Sequence, residues 1–205
     1  METVCQEYVK KRDWEDDPPE FHVIGNLPFN VSIPLLLQWL AMIPGRRGPF
    51  SFGRSILTLT FQREVAERIV APPGHTQRSR LSVMTQNLCH VHWGFTIPGS
   101  VFTPAPKVDA VVLKLVPRLR PLVKVDHLTL ERVVKALFTF RRKFIKRGAS
   151  LLFPTDPHLL PLLFSLSGVP HTLRAQELTM EQVDQLSSTY LHLLDKHSSQ
   201  YAISS

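Results

Sequence analysis

The sequence predicts an α/β fold in which part of a parallel sheet is followed by a small all-helical domain. Aliphatic and β-branched runs alternate with amphipathic stretches as far as Pro117, whereas after Pro121 only helical periodicity remains. Length supports the same reading: 205 residues suffice for one principal core with a helical appendix, not for two full catalytic domains. The expected divisions are an irregular stretch at 1–20, a partial sheet domain at 21–117, a helical domain at 122–195 and a flexible tail at 196–205.

Trp14 to Pro19 reads as a loop because two prolines and an Asp pair do not suit a helix interior. Phe21 to Gly25 is then expected to be a short buried strand ending at a glycine. With so little chain before it, part of the sheet is expected to be absent. Asn30 or Ser32 is expected to cap a helix through Leu35, Leu36, Leu37, Trp39 and Leu40, with Pro34 in its first turn and Pro44-Gly45 as its stop. Ser55 to Thr60 reads as a strand and Gln62 to Val70 as an amphipathic helix, giving the strand–helix rhythm of a parallel sheet.

Ala71 to Gln77 is expected to turn and Arg80 to Leu88 to be helical. An extended stretch over His90 to Ile97 and a strand over Val108 to Val116 are separated by Pro104-Ala105-Pro106, as in an antiparallel sheet edge. Both faces of the second strand are mostly apolar, which predicts a sheet covered on both sides. Leu130 to Arg147, Leu159 to Leu166 and Glu181 to Leu194 are the three helical candidates beyond the boundary.

Composition excludes several classes. Apolar residues are 43% and charged residues 20%, ordinary for a globular chain. The longest apolar run, Ile33 to Ile43, includes Pro34 and Gln38 and is too short to span a bilayer, so no integral membrane association is expected. Cys5 and Cys89 do not make a disulfide framework. Residues 1–20 are too acidic and polar for a secretory signal and lack the character of a mitochondrial presequence. The histidines form no compact set with either cysteine, which argues against a metal site, and Ser82 has no His-Asp partnership for hydrolysis. Trp14, Trp39, Phe50 and Phe52 read as core or rim residues.

Lys and Arg number 24 against 17 Asp and Glu, giving +7 and a pI near 9.7, a balance that favours polyanionic partners. Acids gather in Glu2 to Glu20 and Glu177 to Asp184, whereas Arg132 to Arg147 carries none. At about 100° per residue, a helix over this stretch would set Val133, Leu137, Phe140 and Phe144 on one side and Lys135, Arg142 and Lys146 opposite. Such a face contacts RNA phosphates without reading base order, and Arg141, Lys143 and Arg147 would widen it. A solvated surface with no ligand is the plain alternative.

The segment Gly25 to Asn30 falls between a strand end and a helix start, where open α/β sheets bind ligands. Asn26 offers an amide donor and acceptor, Pro28 leaves its carbonyl towards the loop, and Phe29 provides a flat apolar surface. These groups suit a planar base with an exocyclic amine. An adenine N6 is a weak nucleophile because its lone pair is delocalised into the ring. Acceptance of both amino hydrogens, by the Asn26 oxygen and the Pro28 carbonyl, would turn that lone pair towards an electrophilic methyl group while Phe29 stacks on the base. No strong base is required. An Asx turn leading into a capped helix would give the same local pattern.

Asn26-Leu27-Pro28-Phe29-Asn30 with Ser32 and Pro34 resembles the target-base motif of the ribosomal RNA adenine dimethyltransferase family. Leu59 to Arg68, Arg78 to Val83, Phe102 to Asp109, Phe138 to Arg147 and Arg174 to Leu178 resemble that family in the same order. The likeness runs from about Trp14 to Leu194. The Trp14 to Pro19 stretch and Phe140-Arg141-Arg142-Lys143 are most similar to its vertebrate mitochondrial branch, whose protein is also described as a transcription factor.

The resemblance implies the C-terminal part of a Rossmann-like class I methyltransferase sheet followed by an RNA-facing helical domain. It implies Asn26, Pro28 and Phe29 as catalytic residues, with Asn26 also beside the cofactor. S-adenosyl-L-methionine would be the methyl donor. Two adjacent adenines of mitochondrial small-subunit rRNA would be the substrate, in the mitochondrial matrix. The ribosomal subunit and, through the same branch, transcription machinery are the implied partners. The family's first strand, its Gly-rich cofactor loop and its acidic contacts to the donor have no counterpart here, Gly25 being the one glycine among residues 1–40. The chain is therefore expected to be inactive by itself and to bind the cofactor poorly. A noncatalytic RNA-binding or transcription-associated isoform is the competing expectation.

Overall fold

The computed structural model describes residues 9–19, 21–103 and 108–203, with 197–203 described in backbone only. They fall into two compact units, one drawn from 1–70 and 84–121 and the other from 71–83 and 122–205. The 71–83 segment, expected with the sheet, thus groups with the helices. Pro104 to Lys107, the centre of the Phe102 to Asp109 motif, lies outside the described residues, as do 1–8, with Cys5, and 20 of the expected irregular stretch.

In the first unit, β1 (His22–Gly25), β2 (Ile56–Gln62), β3 (Cys89–Ile97) and β4 (Ala110–Pro117) form a mixed sheet in the order β1-β2-β4-β3. β1 is parallel to β2, and the chain passes between them through helix α1 (Phe29–Met42). Helices α2 (Arg63–Val70) and α3 (Arg80–Leu88) precede β3, and β4 runs antiparallel to both neighbours. This is the mixed, helix-flanked sheet of the class I methyltransferase fold that the sequence predicts.

Register explains which side is buried. Leu57, Leu59 and Phe61 of β2 lie opposite Leu115, Leu113 and Val111 of β4, and all six are fully buried. On the other face Thr58 and Val112 are half-buried, while Lys114 and its β3 partner His92 are exposed. The expectation of a sheet covered on both sides is therefore corrected: alternation of apolar side chains reports which faces are able to be buried, not whether a helix lies on each.

β1 is also less buried than expected. Paired on one side only, it alternates exposed and half-buried positions, and Ile24 is 78% exposed. At the opposite edge, β3 carries a bulge between Trp93 and Thr96. Gly94 sits there because a Cβ would lie 2.9 Å from the Val112 carbonyl oxygen. Cys89 opens β3 fully buried, and that burial pushes its thiol up to about 12 despite the opposing pull of Arg118.

The loop before β1 is irregular but tied down. The Trp14 indole N–H donates to the Leu119 carbonyl at 3.1 Å, while Arg54 donates to the carbonyls of Trp14 and Asp16 at 2.8 and 2.6 Å. Trp14 is consequently buried, as the core reading anticipates.

The second unit contains α4 (His127–Thr139), α5 (Ile145–Ala149), α6 (Leu159–Ser167) and α7 (Met180–Ile203). α4 packs on α5 and α7, and α6 packs on α7. Leu130, Val133, Val134, Leu137, Ile145, Leu163, Val183 and Leu186 supply its buried centre. α7 continues to Ile203, past the expected start of a tail at 196.

The expected helix over Leu130 to Arg147 is broken. Phe140, at φ −111 and ψ 60, leaves helical geometry, and the chain turns before α5. The cause is tertiary. Gly148 lies so close to α4 that a Cβ there would be 2.5 Å from the Ala136 carbonyl oxygen, so α5 crosses α4 instead of continuing it. Phe144 pairs with Arg174 in an antiparallel bridge, and the Ile145 N–H donates to the Leu173 carbonyl at 2.7 Å. The shared face proposed for Arg142 and Lys146 does not exist.

Asp126 caps α4, its carboxylate accepting the Leu128 and Thr129 N–H groups at 3.0 Å each. The Thr129 hydroxyl and these backbone donors hold the carboxyl below its ordinary 3.8. The cap is thus fully formed above that value and is lost as pH falls through the depressed one. Asp126→Ala is expected to lower stability by about 1 kcal/mol at pH 7 in urea unfolding. The difference from the parent should shrink as the pH drops well below 3.8; an unchanged difference there would remove the carboxylate cap as its cause.

Candidate functional site

Parallel pairing builds the loop after β1. Gly25 pairs with Leu59, so the next residue of β2, Thr60, arrives beside Asn26 just beyond the end of β1. The Thr60 hydroxyl donates to the Asn26 side-chain oxygen at 2.7 Å and accepts the Leu27 N–H at 3.2 Å. Thr60 is buried while Asn26 is exposed, so a fixed hydroxyl orients an amide that faces solvent. The Asn26 oxygen retains a second lone pair for a ligand N–H.

Pro28, not Asn30 or Ser32, immediately precedes α1, and no side chain caps the helix. Its ring fixes φ at −56 with ψ 134, which ends the loop in extended geometry before the helix begins. Its carbonyl accepts the Val31 N–H at 3.1 Å. Ser32 is buried within the helix and donates to the Phe29 carbonyl at 3.0 Å. Pro34 is therefore inside α1, beyond the first turn, and cannot donate to the Asn30 carbonyl; Asn30 is solvent-exposed there. Phe29 is half-buried at the helix start. Asn26, Pro28 and Phe29 are thus brought to one short loop, with Thr60 as a fourth member that sequence alone does not reveal.

The described residues do not fit a cradle for a charged, flexible methyl donor. A proline immediately precedes α1, whose first turn holds no acid. At the end of β2 the acids are engaged, Glu67 accepting from Arg63 at 3.1 Å and Glu64 pairing with Arg68. No glycine-rich turn lies at the described strand ends, and the carboxylate of Asp109, which directly precedes β4, accepts the Gly99 N–H at 3.0 Å. Among the described residues no cluster of His, Cys, Asp and Glu holds a metal-binding arrangement, and no helix is long and apolar enough to cross a membrane.

The cations group differently from the helical prediction. Lys135 is exposed on α4, Arg141 donates to the Thr76 carbonyl, and Arg142 is exposed in the turn. Lys143, Lys146 and Arg147 instead border one open cleft together with Phe140 and Phe144. The Arg147 guanidinium lies 5.3 Å from the Phe140 ring centroid. Arg78 proves to be wholly buried: it donates to the Ala71 carbonyl at 3.0 Å and to the Met180 sulfur at 3.6 Å. Burial lowers its pKa to about 10, which leaves it charged at neutral pH. The Arg78 to Val83 motif is accordingly a structural clamp.

A family model for ribosomal RNA adenine dimethylase matches residues 4–190, a range that includes the Asn26 loop. The chain belongs to this family. Its dimethylase relatives include dimethyladenosine transferase 1, mitochondrial, of Xenopus tropicalis, 45% identical over 94% of this chain and 56% of that protein. The human protein of the same name is 47% identical over 91% of this chain and 54% of its own length. The chain spans about half the length of the curated relatives it matches. Among solved structures, a dimethyladenosine transferase from Plasmodium falciparum superposes with a TM-score of 0.61 at 22% identity, over 84% of this chain and 68% of that one. The 23S rRNA methyltransferase ErmE does so at 0.53 and 22%, over 86% and 68%. These two likenesses bear on the fold alone and agree with the class I methyltransferase sheet.

Proposed function

We propose that this chain provides the base-holding side of a mitochondrial rRNA adenine N6,N6-dimethyltransferase together with an RNA-binding helical unit. The observation that carries the proposal is the Thr60-oriented amide of Asn26 in the family's target-base motif. Asn26 accepts one hydrogen of the adenine amine, the Pro28 carbonyl accepts the other, and Phe29 stacks on the ring. The arrangement would leave the nitrogen lone pair free of the hydrogen bonds that hold the amine. S-adenosyl-L-methionine is the methyl source proposed from the family. Because the described residues do not build its cradle, the 205 residues alone are proposed to bind RNA without turnover. The names of the relatives support a mitochondrial setting, and the description of the family model supports a ribosomal RNA as partner; the small subunit's RNA is the one proposed from the resemblance.

The second reading is a noncatalytic RNA-binding or transcription-associated isoform that takes no part in methyl transfer, favoured by the cations around the Phe140 to Arg147 turn. Both readings meet one experiment on the full chain, a salt titration of binding to an rRNA hairpin alongside a methyl-transfer assay. Replacing Lys143 and Lys146 with Gln is expected to flatten the slope of log affinity against log salt by about 0.7 to 0.9 per lost phosphate contact. Robust methyl transfer by the 205 residues would overturn the proposal of inactivity; an unchanged slope would remove these lysines from the RNA surface.

A further inference from the structure

Two clefts adjoin on the helical unit. The first, of about 600 Å³, is bordered by Phe140, Lys143, Phe144, Lys146, Arg147 and Leu160. The second, of about 520 Å³, is bordered by Lys146, Leu160, Pro161, Phe164, Val169 and His171. Lys146 and Leu160 belong to both. Apolar walls carry a cationic rim, and among the described residues no Asp or Glu lines either cleft.

The aromatic rings differ in what they offer. The Phe140 ring is already covered by the Arg147 guanidinium, and Phe164 meets His171 edge-on at 6.0 Å. Phe144 is 55% exposed although its backbone is fixed by the bridge to Arg174. An exposed ring on a pinned backbone beside Lys143 and Lys146 has the two features that single-stranded nucleic acid requires, a stacking surface and charge for the adjoining phosphate. A blunt duplex uses only the second.

We infer that the paired clefts take two successive unpaired nucleotides of an RNA strand, one base stacked on Phe144, the other beside Phe164 and His171, and the intervening phosphate on Lys146. This rests on the RNA-binding reading above and deepens it: the helical unit distinguishes unpaired from paired RNA. The phosphate contact supplies strength that salt weakens, whereas the stacking contact does not depend on salt.

The test uses the full chain and two RNAs with equal numbers of phosphates, a hairpin with an unpaired strand carrying 2-aminopurine and a blunt duplex. Phe144→Ala is expected to weaken binding to the unpaired RNA about tenfold, to leave the duplex affinity and both salt slopes unchanged, and to abolish 2-aminopurine quenching. Phe144→Tyr is expected to retain all three. Matching thermal unfolding of the variants separates loss of the ring from loss of the fold. Equal effects of Phe144→Ala on both RNAs, or none on either while the parent shows a normal salt slope, would overturn the cleft assignment and leave the phosphate-binding reading standing. Failure of the parent to bind any RNA would overturn both. Phe144-dependent binding of a Glu-rich peptide, without Phe144-dependent RNA binding, would instead assign the clefts to a protein partner.

Discussion

Gly148→Ala is expected to unfold the helical unit. The added methyl carbon would lie 2.5 Å from the Ala136 carbonyl oxygen, 2.9 Å from the Leu137 Cα and 3.0 Å from the Leu137 carbonyl oxygen. All three belong to the backbone of α4, so no side-chain rotation relieves the contact. α5 would have to withdraw, drawing Ile145 and Ala149 out of the buried centre. A loss of about 3 kcal/mol or more follows from overpacking against an immobile backbone. Gly45→Ala is a suitable control, because its nearest neighbours are atoms of the flexible Arg47 side chain. Hydrogen exchange over 127–139, read beside urea unfolding, should show protection lost in Gly148→Ala alone. A variant within 0.5 kcal/mol of the parent, a margin ordinary for surface changes, would mean that the crossing of α5 over α4 is not as close as described.

The second large effect concerns Asn26 in a catalytic setting, with residues 14–194 placed in a full-length relative over the aligned region. Asn26→Ala is expected to lower kcat about 100-fold while leaving RNA affinity nearly intact, since it removes one polar group aligned with the reacting amine and no phosphate contact. Thr60→Val should lower kcat by roughly tenfold without a rise in KM, because its hydroxyl acts through the Asn26 amide. Thr60→Ser, which keeps the hydroxyl, should recover most of the rate. Near-normal turnover by Asn26→Ala would end the proposed role of the loop. A Thr60→Val rate equal to the parent would show that Asn26 keeps its orientation by other means.

What sequence shows and what it hides divides along the reach of the interactions. The run from Ile56 to Gln62 and its following helix are legible because local apolar periodicity and burial coincide there. The Asn26 loop is legible too, as an Asn and a proline between a strand and a helix. Thr60 is not, because its partner is 34 residues away and is supplied by parallel register. The break after Thr139 is hidden for the same reason: Phe140 and Phe144 fit a helical spacing, but Gly148 against Ala136 and Phe144 against Arg174 decide the path. Arg78 shows the converse error to which charge counting is prone. A cation in a basic protein reads as surface, yet this one closes a buried clamp.

The burial of Cys89 gives the sheet a chemical memory. Its thiol, raised to about 12 and sealed at the β3–β4 pairing, holds almost no thiolate at neutral pH and presents no sulfur to an oxidant. Modification therefore waits on an opening of the sheet that exposes the sulfur, and its rate scales with how often that opening occurs. A population aged under oxidising conditions would carry, in the fraction of altered Cys89, an integrated record of how often the sheet has opened.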